Sequence, residues 1–212
     1  SINTNLYYNK NELSKISNQF FTNQTGGNIN NGQYTKRVSI GQPLGSFYLY
    51  EIAGIDDRGE FVYKDLNNDG EINENDRRFF GTYIPSLVSS FNIKVIYKNF
   101  DINISTYGSF GNKVYNGKKA QRFGNENIEQ FVFNNRWTSG RPSTNTPIAS
   151  NNVPLSSNYF LESGDYFRIN NFTIGYTFEI DNSKLFNNTR LYFTAKNPLI
   201  LKKFSGYTPE LP

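Results

Sequence analysis

From Phe91 onward, apolar and polar side chains alternate along the chain with a period of two. Phe91, Ile93, Val95 and Tyr97 take one set of positions and Asn92 and Lys94 the other, with Ile96 out of step. After Lys98-Asn99, the apolar set resumes at Phe100, Ile102, Ile104 and Thr106, against Asp101, Asn103 and Ser105. Such alternation puts every second side chain on one face of a strand. The pattern therefore predicts two strands joined by a two-residue turn. Phe172, Ile174, Tyr176 and Phe178 alternate in the same way with Thr173, Gly175 and Thr177. A short polar connection around Asp181–Ser183 and Asn187-Asn188 leads to Leu191, Phe193 and Ala195, which alternate with Tyr192 and Thr194. An earlier strand is predicted over Ser46 to Ile52. Helical periodicity is weak throughout, and Asn11 to Phe21 is the best short helical candidate.

The connections alternate in length. The turns at Lys98-Asn99 and near Asp181–Asn188 are short, whereas Gly54–Ser86 and Ser109–Gly164 are long, polar and rich in Gly, Pro and Asn. Loops of that length are uncommon in compact soluble domains. A transmembrane β-barrel, in contrast, joins its strands by short periplasmic turns and long extracellular loops. Aromatics gather at the predicted strand ends (Phe47, Tyr48, Tyr50, Tyr97, Phe100, Tyr107, Tyr166 and Phe167), as in an interfacial girdle. The same side chains could fill the core of a β-sandwich. The fold class is all-β, and periodicity alone leaves barrel and sandwich open.

Composition narrows the chemistry. The 212 residues include 19 Phe, 15 Tyr and one Trp, but no Cys, Met or His. Thiol nucleophiles, disulfides, imidazole bases and the His- and Cys-based zinc sites are excluded with those residues. The net charge is +4, and the bases are scattered rather than clustered, so nucleic acid is not an expected partner. Mean hydropathy is −0.62 and no run of about 18 apolar residues occurs, which excludes a helical membrane span but not a barrel. No leader peptide is apparent. A chain that starts at Ser1 and contains no Met is expected to be a processed or excised piece of something longer.

One motif carries chemistry. Residues 65–76 read DLNNDGEINEND. Asp65, Asn67 and Asp69 fall at positions 1, 3 and 5 of a calcium-loop pattern, Gly70 at 6, Glu71 at 7, Asn73 at 9 and Asp76 at 12. Calcium takes six to eight hard oxygens, and side chains at 1, 3 and 5 converge when such a loop winds around the ion. Glu71 would contribute its carbonyl, Ile72 would pack inward, and Asp76 would close the shell. The expected cofactor is a structural Ca2+ held by Asp65, Asn67, Asp69, Glu71 and Asp76. The alternative is an ion-free loop of Asx turns. The flank Arg77–Thr82 lacks helical periodicity, so a helix-loop-helix site is not expected. Asp at position 12 is similar to dockerin loops. Glu60, Asp101, Glu162, Asp165 and Glu179 could be paired on paper as a hydrolytic dyad, but no spacing selects a pair. Trp137, with Arg136 and Arg141, reads as an aromatic anchor within a long loop more readily than as a sugar-stacking surface. The chain is therefore read as a non-enzyme.

The order of these pieces points to a family. GQPLGSFYLYEIAGI (41–55) is followed by DLNNDGEINENDRR, a Gly81…Pro85 segment and YKNFDINISTYGSFGNKVYN (97–116). Then come NNRWT around Trp137, SGDYFRINNFTIGYTF (163–178) and LYFTAKNPLILKKFSGYTPE (191–210). From about Ser39 to Pro212 this resembles the C-terminal part of the SusC/RagA family of TonB-dependent outer-membrane transporters. Residues 1–38 match only loosely, through NTNLYYNKNELSKIS. Asp65, Asn67, Asp69, Gly70 and Asp76 match the family's acidic-Asn-Gly loop. Gly45, Phe47, Tyr48 and Tyr50 match its aromatic strand, although Leu49 stands where Gly is usual. The resemblance implies antiparallel strands of a large transmembrane β-barrel, with 54–86 and 109–164 as long outer loops. It also implies import of oligosaccharides or peptides across the outer membrane of a Gram-negative, Bacteroides-like bacterium. The implied partners are a SusD-like surface lipoprotein, outer-membrane lipid, and TonB, which would engage a plug-bearing N-terminal part outside these residues. The competing reading is a secreted, calcium-stabilised, carbohydrate-binding β-sandwich.

Overall fold

A computed structural model of the protein describes residues 1–16, 25–26, 33–122, 127–143, 145–150, 153–179 and 188–209. The first strands are β1 (Ile2–Tyr8), β2 (Thr25–Gly26), β3 (Lys36–Arg37), β4 (Ser46–Tyr50), β5 (Ile52–Ile55), β6 (Phe61–Tyr63) and β7 (Arg77–Thr82). There follow β8 (Leu87–Tyr97), β9 (Phe100–Phe110), β10 (Lys113–Tyr115), α1 (Gly117–Gln121), α2 (Gln130–Asn135), β11 (Leu161–Ser163), β12 (Tyr166–Glu179) and β13 (Asn188–Lys202). These elements divide into two compact units. The first comprises Ser1–Lys10, Pro85–Asn112 and Ser163–Pro212; the second comprises Asn11–Ile84 and Lys113–Glu162.

The first unit is a five-stranded antiparallel sheet in the order β1-β8-β9-β12-β13. Strands β8 and β9 are 11 residues each and β12 and β13 are 14 and 15, long enough to cross a bilayer when tilted. Tyr97 pairs with Phe100, so Lys98-Asn99 forms the two-residue turn that the alternation predicts. The second predicted pair also forms, with Ile174 opposite Phe193 and Phe172 opposite Ala195. A bulge at Asn170 shifts the register of β12 against both neighbours. Pro198 lies opposite it on β13, at a point where the pairing skips and a missing N–H costs little. Asn197 beside it has a φ of 50°, a left-handed conformation that Asn tolerates. Gly108 is needed for close packing: a Cβ there would fall 2.7 Å from the Phe110 ring and 2.8 Å from Ser89 Oγ.

The second unit holds the buried core. All five residues of β4 are buried, together with Val114, Ala120 and Phe160. β4 lies between β3 and β7 in a four-stranded sheet. It is covered on both faces, so FYLY is a continuous apolar run rather than an alternating one. Aromatic contacts extend the core from Phe47 to Tyr115 (ring centroids 6.5 Å apart), to Phe160 (5.9 Å from Tyr115) and to Phe61 (6.1 Å from Phe160). Trp137 packs over Gly59, where an added Cβ would lie 2.6 Å from its ring, so it acts as an anchor between two segments of this unit.

Four expectations change. The strand predicted over Ser46–Ile52 forms, as β4 and the start of β5, but it belongs to the core of the second unit and not to the long sheet. Phe47, Tyr48 and Tyr50 consequently leave the girdle and become core. Ile72 stays 40% exposed rather than packing inward. Asn11–Ile16 forms no helix, and Ser17–Phe21, the rest of that candidate, lies outside the described residues.

Lys98 has a φ of 52°, which costs an L residue with a Cβ. Lys98→Gly is expected to stabilise the hairpin by about 0.5–1 kcal/mol, seen as a higher denaturant midpoint. A lowered midpoint would contradict this account of the turn.

Candidate functional site

The long sheet separates two surfaces by register alone. Tyr97, Phe100, Tyr176 and Leu191 form one cross-strand row; Val95, Ile102, Ile174 and Phe193 form the next. Ile2, Ile93, Ile104, Phe172 and Ala195 follow, then Thr4, Phe91, Thr106, Ile169 and Leu199. Leu6, Ser89, Gly108, Phe167 and Leu201 come next, and Tyr8, Leu87 and Phe110 end the series. None of these rows contains a charged residue. The face is not a core: Val95 is 48% exposed and Phe193 63%, where a sandwich would bury them. Aromatics mark both ends, with Tyr97, Phe100, Tyr176 and Phe178 near the short turn and Tyr8, Phe110 and Phe167 at the far end. Phe100 and Tyr176 meet edge to face at 4.6 Å, as do Tyr176 and Phe178. Ten residue steps of about 3.4 Å, tilted by about 40°, span roughly 26 Å, close to the apolar height of a bilayer. Tyr97, Phe100 and Phe167 thus stand at the ends of the apolar face, where a girdle requires them, whereas Tyr107 and Tyr166 fall on the opposite face.

The opposite face is polar. Its rows are Val88, Ser109, Tyr166 and Lys202; Ser90, Tyr107, Arg168 and Ile200; Asn92, Ser105, Asn171 and Lys196; and Lys94, Asn103, Thr173 and Thr194. A fifth row, Ile96, Asp101, Gly175 and Tyr192, lies nearest the short turn. Asp101 there takes a two-pronged contact from Arg190, with Nε at 2.8 Å and Nη2 at 2.7 Å. Beyond the far end of the sheet, Asp165 clasps three segments. Its Oδ1 accepts the Gly111 N–H at 2.7 Å and its Oδ2 contacts Lys203 Nζ at 3.1 Å, while its N–H donates to Ser163 Oγ at 3.2 Å. Burial pushes the Asp165 carboxyl up, but the Gly111, Lys203 and Ser163 hydrogen bonds outweigh it and hold the group below the usual carboxylate range. Of the carboxylates considered for a dyad, Asp101, Asp165 and Glu162 are thus engaged separately. Glu162 accepts from Asn116 Nδ2 at 3.0 Å.

In the second unit, loop 65–76 folds around its own side chains. Asp65 accepts the Gly70 N–H at 2.8 Å and the Asp69 N–H at 3.3 Å. Asn67 Oδ1 accepts the Asp69 N–H at 3.1 Å, and its Nδ2 donates to Asp69 Oδ2 at 2.6 Å. Asp69 also accepts the Glu71 N–H at 2.9 Å and a contact from Asn73 Nδ2 at 3.4 Å. The Glu71 N–H, then the Asn67 amide, hold the Asp69 carboxyl below its ordinary range. Asn68 and Gly70 have φ of 58° and 84°, which Asn and Gly allow. Asp76 is fully buried; its two oxygens accept the N–H groups of Leu66 (2.7 Å) and Asn73 (2.8 Å). Asn73 reciprocates by capping the turn Glu74–Asp76 through the Asn75 N–H. The structure therefore brings Asp65, Asn67, Asp69 and Asn73 together and turns Asp76 onto backbone. Among the described residues, no group of three or more acidic side chains is gathered in a metal-holding arrangement.

The motif continues into a stack that the spacing did not reveal. Arg77 is buried between the rings of Tyr34 (4.2 Å) and Tyr50 (4.5 Å), and its Nη1 donates to Tyr34 O at 3.1 Å. Arg78 pairs with Glu51 at 2.6 Å, and Lys64 reaches the same carboxylate at 2.5 Å. The adjacent Arg-Arg in the sequence was the available signal, since desolvated cation–π contacts select Arg. Alternation over Ile2–Tyr8 was likewise the signal for β1, blurred by the neighbouring Tyr7 and Tyr8.

This geometry defines a class: antiparallel strands of a large β-barrel with a folded unit inserted between its strands. Superposition gives the same answer. The structure of the RagAB peptide transporter matches with a TM-score of 0.80 and 19% identity, over 98% of this chain and 24% of that one. The RagAB peptide importer in its 'open-open' state matches with a TM-score of 0.71 and 18% identity, over 98% of this chain and 24% of that one. In sequence, the chain is similar to the TonB-dependent receptor SusC of Bacteroides thetaiotaomicron, with 26% identity over 98% of this chain and 22% of SusC. It is equally similar to the TonB-dependent receptor P3 of Formosa agariphila, with 26% identity over 97% of this chain and 22% of the receptor. No family model matches the chain. The resemblance to SusC and RagA thus extends over nearly the whole chain, residues 1–38 included, and the chain spans about a fifth of the length of these receptors.

Replacing Asp76 strands the N–H groups of Leu66 and Asn73. Asp76→Ala is expected to cost about 1–3 kcal/mol in unfolding free energy in chelator, where only its lost backbone partners count. A cost that disappears in chelator would show that an ion, and not the backbone, is the partner of Asp76.

Proposed function

We propose that the chain is a wall segment of a TonB-dependent importer in the outer membrane of a Gram-negative bacterium. One observation carries this reading: a five-stranded sheet, four of whose strands are long enough to cross a bilayer, has one exposed face with no charged residue, while its other face holds Lys94, Asp101, Arg168, Arg190, Lys196 and Lys202. Facing lipid, such a sheet satisfies its backbone within the wall and exposes only apolar side chains to the bilayer. The polar face then lines the lumen, and 54–86 and 109–164 are the outer loops of this reading. The cargo is an oligosaccharide or peptide nutrient, moved without chemistry on it. The partners in this reading are a SusD-like surface lipoprotein and TonB.

A structural calcium ion at loop 65–76 is a separate part of the proposal. It is supported by the spacing of Asp65, Asn67, Asp69 and Asp76 and by the left-handed Gly70. Those side chains, with the Glu71 carbonyl, would hold it and pin the loop. An ion would have to displace the Asn67–Asp69 contact. If it binds, calcium raises the melting temperature of the full-length protein, and Asp65→Ala with Asp69→Ala abolishes the rise. No calcium-induced rise in the parent protein would remove the ion.

The membrane reading is tested by paired substitutions in the full-length protein folded into vesicles. Ile104→Lys, in the middle of the apolar face, is expected to cost about 2–4 kcal/mol, and Asn103→Lys, on the polar face, to cost much less. Equal costs in a urea titration would count against a lipid-facing sheet.

A further inference from the structure

The second unit gathers three cations that the proposed function does not use. Asn116 caps α1 by accepting the Lys119 N–H at 3.0 Å, and its own N–H donates to Phe160 O at 2.7 Å. With Ala120 also buried, α1 sets Lys119 against Tyr159: Nζ donates to the Tyr159 carbonyl at 3.2 Å and lies 3.9 Å from the ring centroid. At the end of α2, the Trp137 N–H donates to Thr146 O at 3.0 Å, which fixes the chain beside Arg136. Lys119, Arg122 and Arg136 thereby line one cavity, together with Val132, Ile148 and Tyr159. It is small, about 30 Å³, room for about two water-sized groups.

The acids near these cations are engaged elsewhere. Glu129 shares the lining, but Lys118 holds it in an ion pair. Glu162, which acts on Lys119 through its charge, accepts from Asn116 Nδ2 at 3.0 Å. Arg136 Nε is buried without a hydrogen-bond partner among the described residues. A buried donor left in that state is costly, so it calls for an acceptor. Lys119 and Arg122 keep donors beyond their contacts to Tyr159 O and to Asn127 O, the latter long at 3.4 Å. Burial pushes the Lys119 ammonium below its ordinary range, against the pull of Glu162.

We propose that this cavity binds a single carboxylate attached to an apolar body. A guanidinium presents its N–H groups as a fork that fits the two oxygens of a carboxylate, and the cavity has room for about that pair. Arg136 supplies the fork where it is partly shielded from water, and Lys119 supplies a compact charge. Arg122 is exposed and contributes less. Val132, Pro147 and Ile148 favour an apolar body beside the carboxylate over a ring of hydroxyls. All of these residues belong to the second unit, so the site is independent of whether the long sheet faces lipid.

The test is calorimetric titration of the full-length protein in detergent with benzoate, benzamide, galacturonate and inorganic sulfate. Benzoate is expected to bind most tightly, and benzamide, of the same shape but uncharged, at least about tenfold more weakly. Arg136→Gln is expected to weaken benzoate about tenfold, and Arg122→Gln about twofold. Arg141→Gln, outside the cavity, should leave it unchanged. Heat-dependent gel mobility and an unchanged melting temperature identify the variants that remain folded, and the comparison of acid with amide needs no variant at all. Equal binding of benzoate and benzamide, or no effect of Arg136→Gln in a folded variant, would overturn the site. Tighter binding of sulfate would overturn the carboxylate, and tighter binding of galacturonate the apolar body.

Discussion

The backbone ladder that joins β8, β9 and β12 is the constraint on which the rest of the first unit depends. Each of these strands has neighbours on both sides, so its N–H and C=O groups are spent within the sheet. Pairing fixes the register, and register fixes which side chains share a face, because a one-residue slip would exchange the two faces. The uncharged rows of one face and the polar rows of the other are consequences of a single set of backbone hydrogen bonds. The bulge at Asn170 shows how tightly the register is held. An extra residue is absorbed there, opposite a skip at Asn197-Pro198, and beyond it Ile169, Phe167, Leu199 and Leu201 still fall on the apolar face.

The second unit solves a different problem. It has the buried hydrophobic core that the sheet lacks, and it builds that core from a short central strand and a set of rings. Around β4, charge is brought inside beside aromatic faces and opposite charges: Arg77 between Tyr34 and Tyr50, Arg37 over Tyr48, and Glu51 between Lys64 and Arg78. The acidic loop 65–76 serves this core. Asp76 ends it by accepting two backbone N–H groups, and the next residue, Arg77, begins the edge strand of the core sheet. A motif that reads in isolation as an ion site is, in the fold, also the entry to β7.

The long strands were legible in the sequence because their alternation holds over most of their length. Polar side chains are costly on the apolar face, so Phe91–Tyr97 and Phe100–Thr106 reveal period and turn together. β4 was visible as a strand for its aromatic content, but its run of apolar residues cannot say which sheet it joins. Leu49, standing where the resembled family has Gly, is wholly buried there. The clasp made by Asp165 was hidden, since it joins Gly111 to Lys203 across 92 positions of sequence and no local pattern records such a partner. Arg77 was hidden for the same reason: Tyr34 lies 43 residues away.

The sequence by itself determined the all-β class, the hairpin at Lys98-Asn99, the exclusion of imidazole and thiol chemistry, and the likeness to SusC and RagA. These are properties of spacing and of residue type, which a linear chain carries in full. Only the tertiary structure decided between barrel and sandwich, since both have the same alternation and differ in what lies against the apolar face. It also decided where the aromatics of 47–50 go and what Asp76 binds. Those outcomes depend on which distant segments meet, and that is set by packing and by backbone pairing over long separations, neither of which has a period to be read.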